Sequence, residues 1–246
     1  MSKSHKKLRA VMTACPGDVR SSRDIVLFEP SGRMIATDEH RLHIGEIDGA
    51  EIHKENMPTL TVWRSLIDVA IADSEGAPIS IDGPDHDPSI SGWRGPPAPK
   101  FPDYARIVPK REAVKQGGIL TVDRKQLDAL IKHTIIDAKD KGNAVRVAIL
   151  EDLEVDGMRR LRVSIGGTSN SFLNLLEYDR SSPRKDREVG IAVKYLQDAL
   201  RLLKAYGRET IQIGWEDAMS PIVFNGDLNA EFSESNCLAI VMPIKI

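Results

Sequence analysis

The sequence predicts an α+β fold made of two tandem units, each with helices on one face of antiparallel sheets. The chain has 246 residues, of which 41% are hydrophobic and 28% charged, a globular composition long enough for one to two domains. A proline-rich segment at residues 95–100 interrupts helices and central strands, because proline lacks an amide donor and fixes φ. Similar helix and strand patterns lie on both sides of it, which predicts units at residues 1–103 and 104–246.

The first unit begins with a basic helix that ends before Pro16. Two strands follow, because runs of β-branched and aromatic residues flank a Pro-Ser-Gly turn. A second helix and a further strand complete the unit. These elements are predicted, in order, at residues 6–14, 25–29, 33–37, 61–72 and 78–83.

The second unit opens with a charged segment, residues 110–118, which is predicted to be another break, and a short strand at 118–122. Asp123 is predicted to cap the next helix, since its carboxylate can accept an amide of the first turn. Gly142 is predicted to end that helix. The inward face consists of apolar residues at helical spacing, namely Leu127, Leu130, Ile131, Ile135 and Ala138.

The rest of the second unit combines strands with one more helix. An Asp-Gly pair at residues 156–157 predicts a hairpin turn. Gly207 is predicted to end the helix at residues 191–206, whose inward positions are leucine and valine. The strands are predicted at residues 145–150, 161–165, 172–178, 210–214, 220–224 and 237–244.

The charge of the whole chain gives no argument for nucleic-acid binding, since 34 Lys+Arg stand against 36 Asp+Glu for a net charge of −2. The first unit carries 12 basic and 16 acidic residues, and the second 22 and 20. Cys15 and Cys237 are too far apart in sequence to suggest a disulfide framework. No apolar run reaches the roughly 18 residues of a membrane span. We therefore expect a cytoplasmic protein.

Motifs for catalysis or metal binding are absent from the sequence. It contains no glycine-rich phosphate loop, no GxSxG elbow and no HExxH pair. His40 and His43 have no cysteine or carboxylate partners at a ligand spacing. We therefore expect a protein that is not an enzyme, with no catalytic residue, no metal and no cofactor.

Three segments are more specific: Ala-Thr-Asp-Glu-His-Arg-Leu at residues 36–42, Phe-Pro-Asp-Tyr-Ala-Arg-Ile-Val-Pro at 101–109 and Ile-Val-Met-Pro-Ile-Lys-Ile at 240–246. In this order they resemble the TDGHRL-type, FPDYRR-type and VMP-type motifs of the bacterial replicative sliding clamp, the β subunit of DNA polymerase III. The resemblance covers essentially the whole chain, but only the second and third of that family's three domains. It implies two DNA-clamp-like units, the first of them reduced at its end strands.

The resemblance implies a DNA sliding clamp, a polymerase processivity factor that encircles duplex DNA in the nucleoid. Its partners would be DNA polymerase and clamp-loader-type proteins that bind through short hydrophobic motifs. Because the family's ring contains six units, two units per chain imply a homotrimer. The alternative is a clamp-derived adaptor or competitor that binds the same peptides without encircling DNA.

A sliding ring needs cations directed at phosphates rather than base contacts. In the helix predicted at residues 191–206, one polar face opposite the leucines carries Lys194, Arg201 and Lys204. An ordinary solvated face would give the same pattern, whereas the resemblance makes this an inner-wall helix. The expected DNA-facing residues are Lys194, Arg201, Lys204, Arg124, Lys125, Lys132, Lys6, Lys7 and Arg9.

The resemblance also implies an inter-domain groove for partner peptides. Leucine, isoleucine and methionine offer an adaptable apolar floor, while a histidine and an arginine can hold a peptide backbone or carboxylate. The expected groove residues are Thr37, His40, Arg41, Leu42, Pro102, Arg106, Ile107, Met242, Pro243 and Ile244. The alternative is that Leu42, Ile107 and Ile244 are plain inter-domain core. The chain departs from the family motifs where Glu39 replaces a glycine, where Ala105 replaces an arginine and where Lys245-Ile246 replaces an Arg-Leu ending.

Overall fold

The computed structural model describes residues 3–16, 24–29, 31–46, 60–73, 100–142, 146–167, 169–179, 188–228, 232 and 235–245. The chain divides into two compact units, Met1–Ile107 and Val108–Ile246. In the described part of the chain, no helix has both the length and the hydropathy needed to cross a bilayer.

The first unit places helices beside a four-stranded antiparallel sheet. Strand order is β4-β1-β2-β3, with Val26 of β1 opposite both Ala36 of β2 and Val62 of β4. Helix α1 packs on β2 and β3 and buries Leu8 and Val11 there. The elements are α1 (Lys3–Met12), β1 (Ile25–Phe28), β2 (Arg33–Thr37), β3 (Arg41–Glu46), β4 (Leu60–Trp63), α2 (Arg64–Asp73) and a 3-10 turn (Tyr104–Arg106).

Most predicted elements of the first unit are present, with two corrections. The first helix and the β1–β2 hairpin are confirmed, and Gly32 adopts the positive φ of 84° that its turn requires. The helix predicted from residue 61 is wrong in its first turn, because β-branched and aromatic side chains extend Leu60–Trp63 as β4 against β1. Strand β3 was not predicted. The strand predicted at 78–83 lies outside the described residues.

The second unit contains two antiparallel sheets. One has the order β13-β12-β11-β5-β9 and the other β10-β6-β7-β8. The elements are α3 (Arg111–Gly117), β5 (Ile119–Asp123), α4 (Arg124–Asp140), β6 (Val147–Val155), β7 (Met158–Ile165), β8 (Ser169–Asn174), β9 (Glu177–Asp179), β10 (Glu188–Ala192), α5 (Val193–Ala205), β11 (Thr210–Gly214), β12 (Ile222–Asn225) and β13 (Cys237–Val241).

The long helices of the second unit cover the sheets with their apolar faces. Helix α4 packs on β7 and β8 and buries Leu127 and Ile131, while α5 packs on β10 and β13 and buries Leu196 and Leu203. Burial of four such side chains contributes on the order of 1.5–3 kcal/mol each before conformational entropy is subtracted. The α+β class, with helices on antiparallel sheets, is confirmed.

Several predicted elements of the second unit have different limits. Residues 172–178 form two strands in different sheets, β8 and β9, rather than one. The helix predicted from residue 191 begins at Val193, because Ile191 and Ala192 still pair with β6. The Asp-Gly hairpin is confirmed, with Asp156 and Gly157 at φ of 52° and 73°, as a type I′ turn requires.

The segment predicted as a charged break is helix α3, which packs on β11. Its last residue, Gly117, lies so close to the backbone just after β11 that an added Cβ would be 1.8 Å from the Trp215 carbonyl oxygen. A single sequence cannot distinguish a glycine that close backbone approach requires, such as Gly117, from a turn glycine. The sequence therefore did not reveal this helix.

Candidate DNA-facing and peptide-binding residues

Helix α5 is fixed on both its apolar face and its C-terminal end. Leu196 and Leu203 are buried. Gly207, at φ 70°, donates its amide hydrogen to the Lys204 carbonyl at 3.0 Å, and Arg208 donates to the Leu203 carbonyl at 2.9 Å. This is a Schellman motif, in which glycine avoids the steric cost of a left-handed residue. The predicted end of the helix is therefore confirmed.

Three cations of α5 are exposed: Lys194, Arg201 and Lys204. The Arg201 side chain is 65% exposed, and its Nη1 donates to Asp198 Oδ1 at 2.8 Å. The Asp198 side chain is only 3% exposed, so it orients the guanidinium and also offsets part of its charge. In the described part of the chain, Lys194 and Lys204 have no ion-pair partner. Two lysines and one oriented arginine therefore form a positive face.

At the start of helix α4 the predicted cap is present, but the arginine that was expected to face DNA is buried. The Asp123 carboxylate accepts the Gln126 amide hydrogen at 2.7 Å, which confirms the cap. Arg124 is 7% exposed, and its Nε donates to the Arg208 carbonyl at 2.6 Å. A buried guanidinium that is bonded to backbone cannot reach a phosphate. Arg124 is therefore withdrawn from the DNA-facing set.

Two exposed lysines of α4, Lys125 and Lys132, are paired with carboxylates, whereas the exposed Lys139 has no ion-pair partner in the described part of the chain. Lys125 Nζ lies 2.9 Å from Glu209 Oε1, and Lys132 Nζ lies 2.7 Å from Asp128 Oδ2. The hydrogen bond and charge of Lys125 lower the pKa of Glu209, so this carboxylate stays ionised beside the lysine. Helix α4 therefore offers a weaker positive field than α5.

Helix α1 contributes cations to the first unit. Lys6 and Arg9 are exposed and Lys7 is half-buried, while His5 and Leu8 are buried on the opposite side. The helix therefore separates a positive face from an apolar face that packs on the sheet.

The turn between β2 and β3 holds the first group of predicted groove residues. Thr37 Oγ1 donates to the Arg41 carbonyl at 2.7 Å and accepts the Glu39 amide hydrogen at 3.1 Å. Asp38 Oδ1 accepts the amide hydrogens of His40 and Arg41, each at 3.0 Å. Glu39 adopts φ 72°, which explains physically why glycine suits this position in the family motif.

Three residues of this group are part of the fold rather than an open surface. Thr37 is 3% exposed and Leu42 is fully buried. The Arg41 side chain is 2% exposed, and its Nε lies 3.0 Å from Asp38 Oδ2. These buried side chains are therefore not open to a peptide, and the burial of Leu42 favours the core alternative for that residue. His40 is exposed and stays a candidate.

The linker motif supplies the second group. Pro102 is exposed, Ile107 is half-buried, and the Arg106 side chain is 85% exposed. Arg106 Nε lies 3.2 Å from Asp103 Oδ2. At such exposure an ion pair contributes little, so the guanidinium can exchange Asp103 for another acceptor.

The C-terminal motif supplies the third group. Strand β13 ends at Val241, three residues earlier than predicted, and Met242, Pro243 and Ile244 are half-buried. The Ile244 amide hydrogen is donated to the Gly190 carbonyl at 2.9 Å, which fixes this short tail on β10. Each of these three residues is thus partly open to solvent.

The buried histidine and cysteine of the first unit have structural surroundings. Burial, and then the Arg41 charge, lower the pKa of His43 to about 3, so the imidazole is neutral at pH 7. Burial raises the pKa of Cys15 to about 12, and its Sγ lies 3.6 Å from the Ile25 carbonyl. A thiol in this state is a poor nucleophile. Within the described ranges, no group of three or more His, Cys, Asp or Glu residues could hold a metal.

Two of the exposed apolar residues, Ile136 and Met219, are 59% and 62% exposed and were not singled out from the sequence. Met219 lies in the loop after β11, where its amide hydrogen is donated to Asp217 Oδ1 at 2.8 Å. The available signal was a methionine inside a short polar loop, a pattern that is too common to identify a site.

Two successive α+β units with helices on antiparallel sheets have the architecture of a DNA clamp. Solved structures of bacterial β sliding clamps share this fold. The DNA polymerase III β subunit of Pseudomonas aeruginosa matches with a TM-score of 0.63 at 20% identity, over 99% of this chain and 65% of its own. The β sliding clamp of C. crescentus matches with a TM-score of 0.64 at 18% identity, over 100% and 64%.

The sliding clamp of Bacillus subtilis matches with a TM-score of 0.62 at 14% identity, over 98% of this chain and 62% of its own. The chain therefore spans less than two thirds of the length of these clamps, and its fold is that of a partial sliding clamp. The predicted resemblance is confirmed at the level of fold. No family model and no curated protein matches the sequence.

Proposed function

We propose that this protein is a DNA sliding clamp, a processivity factor that encircles duplex DNA and tethers a polymerase to it. It performs no chemistry. Residues 1–103 act as a reduced clamp-like unit and residues 104–246 as a complete one, and the protein works in the cytoplasm on nucleoid DNA. The observation that carries the proposal is the structural match to solved sliding clamps, which covers 98–100% of this chain.

Three copies of the chain form the proposed ring. The chain has two compact units and spans 62–65% of the clamp chains that it matches. Six units per ring, as the resemblance implies, then need a homotrimer, in which one contact repeats under threefold symmetry. In sedimentation equilibrium the protein should have a mass of about 82 kDa, three times 27.2 kDa. A monomer at all micromolar concentrations would contradict the ring.

The positive face of α5 is the main DNA contact in this proposal. Lys194 and Lys204 are exposed without an ion-pair partner in the described part of the chain, and Asp198 orients Arg201. These long cationic side chains can neutralise phosphates without reading bases, which permits sliding. The secondary contacts are Lys125, Lys132, Lys6, Lys7 and Arg9.

Partner peptides are the second proposed ligand. The residues that remain accessible are His40, Pro102, Arg106, Ile107, Met242, Pro243 and Ile244. The apolar members can cover the hydrophobic side chains of a motif, while the imidazole and guanidinium can hold its backbone or carboxylate. DNA polymerases and clamp-loader-type proteins are the expected partners.

Duplex binding measured by fluorescence anisotropy over a salt series tests the DNA contact. Replacement of Lys194, Arg201 and Lys204 by glutamate should abolish most binding, and the slope of log affinity against log salt should fall by about three. A control with the same charge change replaces Lys100, Lys110 and Lys245, which are exposed and outside the proposed face. Equal effects of the two triple variants would contradict the assignment.

A further inference from the structure

The linker segment at residues 101–107 is attached to the β1–β2 hairpin by a tyrosine. Phe101 is 7% exposed, and the Tyr104 ring meets it edge-on, with ring centroids 6.5 Å apart and planes at 75°. The Tyr104 hydroxyl donates a short hydrogen bond to Glu29 Oε1. The Ile107 amide hydrogen is donated to the Tyr104 carbonyl at 2.9 Å, which closes the 3-10 turn. One side chain thus joins the turn to the sheet.

The acceptor carboxylate is itself fixed by the hairpin. The Glu29 amide hydrogen is donated to the Arg33 carbonyl at 2.9 Å, and the Gly32 amide hydrogen to the Glu29 carbonyl at 2.9 Å. Arg33 Nη1 lies 3.9 Å from Glu29 Oε2, on the oxygen that Tyr104 does not use. Both backbone and side chain therefore hold Glu29 in place to receive the tyrosine.

The hydroxyl stays protonated under all physiological conditions. Burial, the hydrogen bond to Glu29 and the charge of Glu29 raise the pKa of Tyr104 to about 12. A charge-assisted hydrogen bond of this kind is stronger than a neutral one. The contact also joins residues that are 75 positions apart in sequence, so it fixes the linker segment to a distant part of the chain.

We propose that Tyr104 is a positioning residue: its bond to Glu29 fixes the 3-10 turn and thereby presents Arg106 and Ile107 to a partner peptide. We name this pair the Glu29–Tyr104 latch. Arg106 follows Tyr104 by two residues in the same turn, and its side chain is 85% exposed. A fixed backbone lowers the ordering cost of binding, so the latch raises peptide affinity without touching the peptide.

The latch assigns a chemistry to the ligand. Arg106 presents one cationic guanidinium with five N–H donors, and Ile107 presents one half-buried aliphatic side chain. It suits a peptide with an apolar anchor beside a backbone carbonyl or carboxylate acceptor. The inference rests on the proposed peptide binding, and its test must separate the two.

The test is a fluorescence anisotropy titration of a labelled synthetic peptide that carries the short hydrophobic motif of clamp-binding polymerases. Tyr104→Phe keeps the ring contact with Phe101 and removes only the hydroxyl. We expect binding to weaken about 5-fold to 10-fold in Tyr104→Phe and in Glu29→Ala. The double variant should be no weaker than either single variant, because both remove the same bond. Glu29→Gln keeps an acceptor oxygen and should restore most of the affinity.

A matched control and a second measurement separate positioning from loss of folding. Tyr206→Phe removes the same hydroxyl from a tyrosine of the second unit and should leave peptide binding unchanged. Trypsin should cleave after Arg106 faster in Tyr104→Phe than in the wild type, whereas cleavage after the exposed Lys141 should keep its rate. Faster cleavage at both sites would indicate global unfolding and would contradict a local latch.

The outcomes distinguish this inference from the proposed function. A wild-type chain that binds no peptide contradicts the proposed peptide site, and the positioning role falls with it. Wild-type binding that Tyr104→Phe leaves unchanged contradicts the latch alone. Weaker binding by Tyr104→Phe, together with rescue in Glu29→Gln and faster cleavage after Arg106, supports it.

Discussion

Helices α4 and α5 both carry lysine and arginine, yet the structure distributes their charge differently. On α4, Arg124 is buried, and Lys125 and Lys132 are paired with carboxylates. On α5, Lys194 and Lys204 have no ion-pair partner in the described part of the chain, and only Arg201 is paired with an acid, Asp198. The comparison teaches that the number of cations on a helix says little about its field, because neighbouring acids decide how much charge remains.

The largest effect is expected when the field of α5 is reversed. Lys194→Glu, Arg201→Glu and Lys204→Glu together should weaken duplex binding by about 100-fold at low salt, since three phosphate contacts become repulsive. The corresponding double variant of α4, Lys125→Glu with Lys132→Glu, should weaken it less than 10-fold. Titrations of one duplex with each variant and the wild type give the ratio of the two losses of affinity. A larger loss from the α4 variant would reverse the comparison.

Two arginines separate stability from DNA contact. Arg124→Gln removes the buried donor to the Arg208 carbonyl and should lower the free energy of unfolding by about 1.5–3 kcal/mol. Arg201→Gln keeps an N–H donor for the buried Asp198 carboxylate, so it should lower that free energy by less than Arg124→Gln does, while weakening DNA binding. Urea unfolding and anisotropy on the same preparations check both. Reduced DNA affinity in a folded Arg124→Gln protein would restore Arg124 to the DNA-facing set.

The two helices also begin differently. Asp123 caps α4, whereas the N-cap residue of α5 is Ala192, which has no side-chain cap. Asp123→Ala should therefore lower the free energy of unfolding by about 1 kcal/mol. Asp123→Asn and Asp123→Ser preserve an acceptor and are the controls. Equal destabilisation by all three replacements would mean that the carboxylate acts through charge rather than as a cap.

The smallest effect concerns the lysine pair on α4. Lys132→Ala removes an exposed i,i+4 ion pair and should cost less than about 0.5 kcal/mol of stability. Because Asp128 already neutralises Lys132, duplex affinity should fall less than 3-fold. Lys194→Ala is the matched control on α5 and should have the greater effect on DNA binding. The reverse order would show that pairing does not attenuate Lys132.

Local patterns predicted most of the fold. Helix caps, helix ends and tight turns depend on local backbone conformation. The expected conformations are present at Asp123, Gly142, Gly207 and the Asp156–Gly157 turn. Helix α3 and strand β3 were missed because they depend on tertiary contact. The docking of Gly117 against Trp215 is one such contact. Pattern alone does not report contacts of this kind.

The candidate sites were less predictable, because residue type does not reveal burial. Arg41 and Leu42 belong to a recognisable motif, yet the first is paired inside the fold and the second is fully buried. Arg124 likewise reads as a surface cation and is not one. The Glu29–Tyr104 latch joins segments far apart in the chain, so only the folded structure reveals it.

Encirclement of DNA is the central claim, and linearisation tests it most directly. The labelled protein is bound to a closed circular plasmid and washed at a salt concentration that removes electrostatic contacts, and the plasmid is then cut once. A ring should remain on the circle through the wash and leave after cutting, because it slides off the ends. Loss of the protein from the circle in the same wash, or equal retention before and after cutting, would contradict the account.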